Sequence, residues 1–241
     1  MMTYRPLVLS VFPGIGLLDR AFEEEGFCIV RGPDVLWGGD VRRFHPPEAV
    51  FEGVIGGPPC QVFSDLARLR ASQGGTVRFG NLIPEFERVV AEARPFWWLM
   101  ENVPQAPEPA VRGYLVRHLR LNNRWLCGAG AGLGAEQNRV RRVSFGTADG
   151  RPLLIEEAPL LNPAFGHAVT AAHQGDNRVR SKGTLARYTV AEAARLQGLP
   201  ERFLDEAPFT ERGKLRVIAN GVPLPMGRAL ACAVRRTVAG P

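Results

Sequence analysis

Lysine is almost missing from this chain. Of 30 Lys plus Arg residues only Lys182 and Lys214 are lysines, which leaves 28 arginines against 24 Asp plus Glu and a formal charge of +6. Such an excess of permanently charged, forked donors suits a polyanionic partner. A GC-rich genome would raise arginine over lysine just as well, and both readings stand. Cysteine is scarce too: Cys28, Cys60, Cys127 and Cys232 lie far apart, with no Cys-x-x-Cys pair and no cysteine–histidine ligand spacing, so no metal site is expected. Cys28, Cys127 and Cys232 are expected to be small core residues. No apolar run approaches the roughly 18 residues that cross a bilayer, and the first residues lack the layout of a secretory signal. A cytoplasmic protein with no membrane partner is therefore expected. With 241 residues, 45% hydrophobic and 22% charged, the chain has the composition of one globular unit with room for a small second lobe.

What is present in the first half is an alternation of short apolar runs and amphipathic stretches, which predicts a parallel sheet flanked by helices. Leu7 to Phe12 reads as a buried strand. Gly14-Ile15-Gly16 turns the chain into a helix from about Leu17 to Glu25, closed by Gly26, and Cys28 to Val30 begins a second strand. A further strand ends near Ile55. Leu82, Phe86, Val89, Val90 and Ala93 recur at helical spacing until Arg94-Pro95, and Phe96 to Met100 is a short run rich in aromatics. The pattern then predicts a helix over Ala110 to Leu121 and strands around Trp125 and Val143. From Thr147 to about Lys182 the periodicity fades into Pro, Gly, Asn and Asp, the mark of a loop-rich lobe. Thr189-Val190-Ala191-Glu192 is a capping-box pattern opening a helix through Leu196, and a last helix runs from about Leu224 to Arg236. The expected division is a larger unit over 1–146 and 213–241, its last helix returning beside the first strand, and a smaller lobe over 147–212.

Four segments carry chemistry. Gly14-Ile15-Gly16, between a strand and a helix, would let a cofactor approach backbone N–H groups at a helix start, although a tight turn without ligand explains the same residues. Gly56-Gly57-Pro58-Pro59-Cys60 is more informative, because glycines and prolines at a strand end make a stiff turn that presents one thiol. A thiol near arginines and backbone N–H groups has its pKa lowered and acts as a nucleophile, so a lowered value is expected for Cys60. Glu101-Asn102-Val103 follows the aromatic run directly and puts a carboxyl at the end of an interior strand, where open α/β sheets hold ligands and where it can exchange a proton. Taken alone, Asn102 as a helix N-cap with Glu101 in solvent is the plainer reading. In Gln137-Asn138-Arg139-Val140-Arg141-Arg142 an extended backbone sends Gln137, Arg139 and Arg141 to one face, as a solvated basic edge or as a clamp on phosphate or base.

In this order the segments resemble the DNA cytosine methyltransferases that methylate carbon 5 of the base, over nearly the whole chain apart from the middle lobe. Phe12 to Gly16 resembles the family's S-adenosylmethionine loop, Pro59-Cys60-Gln61 its nucleophile motif and Glu101-Asn102-Val103 its acid motif. Gln137, Arg139, Arg141 and Gly146 fall at its glutamine-arginine-arginine-glycine spacing. Arg187, Thr189, Glu192, Arg195, Leu196, Gln197, Gly198 and Pro200 are similar to the segment before its final helix, and Asn220-Gly221-Val222 to the motif that opens it.

The resemblance implies an α/β, Rossmann-like S-adenosylmethionine-dependent methyltransferase fold with a mostly parallel sheet and a small loop-rich target-recognition lobe. It implies S-adenosyl-L-methionine as methyl donor, S-adenosyl-L-homocysteine as product and double-stranded DNA as partner, with a covalent cysteine adduct on a flipped-out base. Cys60, Glu101, Arg139 and Arg141 are the implied catalytic residues. Phe12, Gly14, Gly16, Asp34, Trp37, Asp40, Pro59 and Asn220 are implied at the cofactor, Asp34 for the ribose hydroxyls and Asp40 for the adenine amino group. Trp37 stacks on the adenine or packs in the core or at the rim. Gln61, Ser64, Arg68, Arg70, Gln137, Arg178 and Arg180 are implied at the DNA, with Ser64 to Gly80 as a closing loop. Ser10 stands where the family usually has an acidic residue, and Leu17 where a third small residue is common. The recognition region is short, so the target is expected to be short or relaxed, about two to four base pairs, as in compact solitary phage and prophage members. A tRNA cytosine-5 methyltransferase, a catalytically silent DNA-binding module of the same fold and an enzyme transferring another group are the rival readings. The oligomeric state is not legible.

Overall fold

The computed structural model describes residues 5–60, 63, 80–128, 132–170, 180–181, 184–185 and 188–238. The chain runs through β1 (Leu7–Val11), α1 (Leu17–Glu24), β2 (Cys28–Arg31), β3 (Gly53–Gly56), α2 (Ile83–Ala93) and β4 (Trp97–Asn102). There follow β5 (Leu115–Asn122), β6 (Gln137–Asn138), β7 (Val140–Thr147), β8 (Gly166–His167), β9 (Arg180–Ser181) and β10 (Thr184–Leu185). Three helices close it: α3 (Val190–Leu196), α4 (Glu211–Asn220) and α5 (Leu224–Val238).

The main sheet has the order β2-β1-β3-β4-β7-β5, parallel from β2 to β4, with β7 antiparallel to both its neighbours. Alternate residues of the buried strands feed two apolar layers. Val8, Ile55, Trp97 and Leu99 meet Phe22 of α1 and Met226, Leu230 and Val234 of α5 on one face. Leu9, Val11, Val54, Trp98 and Met100 meet Ile83, Phe86 and Val90 of α2 on the other. The two tryptophans of β4 dictate glycines in the neighbouring strands, since a β-carbon on Gly53 would run into Trp97 and one on Gly146 into Trp98. Gly146 is therefore a seat for an indole ring. The last helix packs against α1 over the layer that contains Val8.

Several expectations are corrected. The segment read as a helix over Ala110 to Leu121 is β5, paired residue by residue with β7 from Leu115↔Thr147 to Asn122↔Val140. Val111, Leu115 and Leu119 do recur at helical spacing, but Gly113 (φ 91°) turns the chain and the ladder beside β7 satisfies the backbone instead. Trp125 ends a short 3-10 turn, Asn123–Trp125, rather than lying in a strand. Helix α4, capped by the Thr210 side chain, was not expected, because Arg212, Lys214 and Arg216 interrupt its apolar pattern. Cys28 and Cys127 are exposed and Cys232 is half-buried, all as free thiols. Cys28 opens the edge strand β2 and Cys127 follows a surface turn, so neither meets the core. Glu211–Val238 is by length and composition apolar enough to cross a membrane (mean hydropathy 1.4), yet 72% of that window is buried within this fold, as core helices are.

The capping box at Thr189 and Glu192 is formed. Residues 151–153 lie along α5, with Arg151 donating to Thr237 O (3.1 Å), Thr237 Oγ1 donating to Pro152 O (3.2 Å) and Leu153 in the core. A third apolar cluster joins Ala193, Leu196, Leu199, Val217 and Ile218 to Leu17 and Ala21 of α1.

Candidate active site

The chain leaves β1 toward β2 on one side and returns to β3 on the other, which opens a crevice at the carboxyl ends of β1 and β3. Two of the segments singled out in the sequence, Phe12 to Gly16 and Gly56 to Cys60, emerge there. β4 delivers Glu101 and Asn102 to the same edge, and antiparallel β7 begins there, with Asn102 opposite Arg142 and Glu101 opposite Val143.

Gly56 has no room for a side chain, since a β-carbon would come within 2.6 Å of Val11 O and 2.9 Å of the Phe86 ring. The turn after it is pinned by Asn102, whose Nδ2 donates to Pro58 O (3.1 Å) while its Oδ1 accepts from Val103 N (2.8 Å). Asn102 is thus buried and braces the cysteine turn instead of capping a helix, a role that its place beside Glu101 hints at but does not specify. Arg141, the diagonal neighbour of Glu101 across the strands, holds the carboxylate with Nε 2.9 Å from Oε1. Both side chains are mostly buried, at 15% and 10% exposure. Glu101 is not in solvent.

Burial pushes the Cys60 thiol above its ordinary pKa, against the lowering expected from the sequence. Arg141 and Arg139 pull it down and Glu101 pushes it up, so the four implied catalytic groups share one electrostatic field. Desolvation is the larger effect because the turn tucks the half-buried cysteine against the apolar layer around Phe86 and Met100.

The basic run divides by partner. Arg139 is 3% exposed and its guanidinium donates to Val169 O (2.7 Å), Ala219 O (2.8 Å) and Gly221 O (3.3 Å). Desolvation, with Arg141 adding repulsion, lowers its pKa to about 9. Gln137, expected at the DNA, is fully buried: Nε2 donates to Leu196 O (2.7 Å) and Gln197 Oε1 (3.1 Å), and Oε1 accepts from Val169 N (3.3 Å). That is a correction, since an interior amide with its groups engaged cannot face a duplex. Gln197 in turn donates to Ile218 O (2.6 Å) and Gly221 O (3.2 Å). These three side chains form a buried joint between the start of β7 and the chain around Gly221. Neither a solvated basic edge nor an open clamp describes it.

On the cofactor side, Phe12 (φ 60°), Gly14 (φ 58°) and Gly16 (φ 75°) all take left-handed backbone, costly for Phe12 and free for the glycines. A β-carbon on Gly14 would meet nothing within 4 Å, so the loop borders open space, and α1 starts without a side-chain cap. Asp34 braces this loop, accepting from Gly14 N (2.9 Å) and Leu36 N (2.7 Å), and Trp37 Nε1 donates to Gly14 O (2.7 Å). Trp37 is 62% exposed, which excludes core packing. Asp40 is exposed and caps the turn at Val41–Arg43, and Asn220 is exposed at the end of α4. Pro59 is half-buried beside Cys60. Behind the loop, Ser10 donates to the fully buried Asp19 (2.5 Å), which also receives Arg31 Nε (2.8 Å). A buried carboxyl therefore lies beside position 10, and burial raises the Asp19 pKa. Gln61, Ser64, Arg68, Arg70 and Arg178 lie outside the described residues, as does most of the expected closing loop. Arg180 is described only as backbone of β9.

The profile of the family described as C-5 cytosine-specific DNA methylase matches residues 38–165. The chain is 32% identical to the type II methyltransferase M.NgoPII of Neisseria gonorrhoeae over 121 residues, 42% of this chain and 34% of that one. It is 24% identical to M.XorII of Xanthomonas oryzae over 204 residues, 68% of this chain and 46% of that one. The matched chain thus spans less than half the length of these relatives. Among solved structures, a candidate DNA modification methyltransferase encoded within an E. coli prophage superposes with a TM-score of 0.64 at 17% identity, covering 98% of this chain and 100% of the other. The S. pombe Dnmt2 methyltransferase superposes at 0.60 with 14% identity, covering 97% and 99%. At these identities the likeness is one of fold: α/β, with the sheet of S-adenosylmethionine-dependent methyltransferases.

Proposed function

The chain belongs to the C-5 cytosine-specific DNA methylase family, and on that footing we propose that it transfers a methyl group from S-adenosylmethionine to carbon 5 of cytosine in double-stranded DNA. The observation that carries this reading is the convergence of Cys60, Glu101 and Arg141 at one strand edge, beside a glycine loop open to a ligand. The residues suit the cofactor: Gly14 leaves space for it, Trp37 offers an exposed ring, and the Asp34 oxygens keep further lone pairs for hydroxyl donors. When bound, S-adenosylmethionine supplies an electrophilic methyl group on a sulfonium sulfur.

The chain's own residues do the rest. Cys60 loses its proton to solvent and its thiolate adds to carbon 6 of a cytosine taken out of the helix, at an unstacking cost of about a few kcal/mol. Glu101 takes up a proton from solvent as the thiolate forms and passes it to ring nitrogen 3, so negative charge does not accumulate on the ring. Addition at carbon 6 makes carbon 5 nucleophilic toward the methyl group that the cofactor would supply, and the carbon 5 proton then leaves to solvent. Elimination of Cys60 restores the aromatic ring and returns the nitrogen 3 proton to Glu101. Arg141 aims the carboxyl through its 2.9 Å contact and favours the thiolate. Arg139 acts mainly as a positioning residue, its two terminal nitrogens donating to three carbonyls. The short recognition region around 147–186 reads a short or relaxed target.

Base-resolution methylation sequencing of DNA from cells expressing wild type or Cys60→Ala tests this. A modified cytosine motif, or diffuse modification, found only with wild type is expected. Identical DNA from both would refute it and direct attention to the same cells' tRNA.

A further inference from the structure

A large apolar ring that stays exposed while its polar atom is fixed is a surface presented to something. Trp37 is such a ring, 62% exposed with its N–H committed to Gly14 O at 2.7 Å. One hydrogen bond leaves an indole free to tilt about the donor. The second contact comes from far along the chain: the Phe209 ring lies 6.2 Å from Trp37, centroid to centroid, at 51°. Phe209 is itself held, packing partly into the cluster of Leu17, Leu204 and Ile218. It directly precedes Thr210, the N-cap of α4. Gly213 also makes room for it, since a β-carbon there would come within 3.2 Å of the Phe209 β-carbon.

We propose that Phe209 is a positioning residue for the cofactor: it sets the plane of Trp37, and through it the affinity for the adenosyl group. The inference rests on the methyltransferase reading above. A tilted aromatic contact of this kind is worth roughly a three- to tenfold change in a dissociation constant.

The test uses the whole chain and S-adenosylhomocysteine as probe, by calorimetry, with steady-state methylation alongside. Phe209→Ala and Phe209→Leu are expected to weaken binding about three- to tenfold, while Phe209→Tyr stays within about twofold of wild type. At saturating cofactor kcat, and the KM for DNA, should remain within about twofold in all three. Phe209→Leu keeps the apolar anchor, so it covers the case in which the alanine variant fails to fold. In a Trp37→Phe background the further effect of Phe209→Leu should shrink to less than about half. Wild-type affinity in Phe209→Leu, full additivity with Trp37→Phe, or a loss of kcat matching the loss of affinity would each overturn the inference alone. A wild-type chain that binds no S-adenosylhomocysteine would overturn the methyltransferase reading, and this inference with it.

Discussion

Glu101 acts on Cys60 and on the substrate in opposite senses, and a single substitution separates them. Its charge raises the thiol pKa, whereas Arg141 lowers it. Glu101→Gln should therefore shift the pH midpoint of Cys60 alkylation down, and Arg141→Ala should shift it up. Methyl transfer should fall by about 100-fold or more in Glu101→Gln, the usual worth of a positioned proton donor. Alkylation by iodoacetamide, read by peptide mass spectrometry with exposed Cys28 and Cys127 as references, gives the midpoints. Coincident midpoints in the three proteins would dissolve the electrostatic link. At this scale the sequence was most readable where geometry was stiff: two glycines and two prolines before Cys60 told of a presented thiol. The direction of its pKa was not readable, because the apolar layer that buries it comes from α2 and β4, distant in sequence.

Among the elements, the run from β6 into β7 carries a division of labour that alternation alone did not disclose. Gln137 and Arg139 go into a buried joint, Arg141 to Glu101, and Arg142 to the carbonyls of Pro104, Ala106 and Pro107 beyond β4. Arg139→Ala should thus cost stability first, by about 3 kcal/mol, since it takes a charged donor from Val169 O and Ala219 O and leaves Gly221 O with Gln197 alone. Urea titration followed by circular dichroism measures this, and an unchanged midpoint would contradict it. The first half of the sheet was legible because β1, β3 and β4 are buried on both faces and read as continuous apolar runs. β5 was not, because as an edge strand it mixes Arg117, His118 and Arg120 with leucines that also satisfy helical spacing. Helix α4 stayed hidden for a similar reason, as it buries only Val217, Ile218 and Ala219, three consecutive residues in its last turn that give no helical period.

Over the whole molecule, the order of motifs along the chain was enough to anticipate an α/β sheet with the nucleophile and the glycine loop at one edge, and the topology explains why they meet. What the sequence could not display is how the last third of the chain returns: through Arg139, Gln137 and Gln197 it is bonded to the strand that carries Arg141, and through Phe209 it reaches Trp37. The glycine loop and the edge that carries Cys60 and Glu101 are thereby both tied to this returning segment. The central claim is that Cys60 forms a bond with cytosine during methyl transfer. The whole chain, incubated with S-adenosylmethionine and random-sequence duplex DNA fluorinated at cytosine carbon 5, should yield a complex that survives denaturing electrophoresis, requires the cofactor and is absent in Cys60→Ala. Methylation of ordinary DNA without such a complex, or a complex that persists in Cys60→Ala, would contradict it.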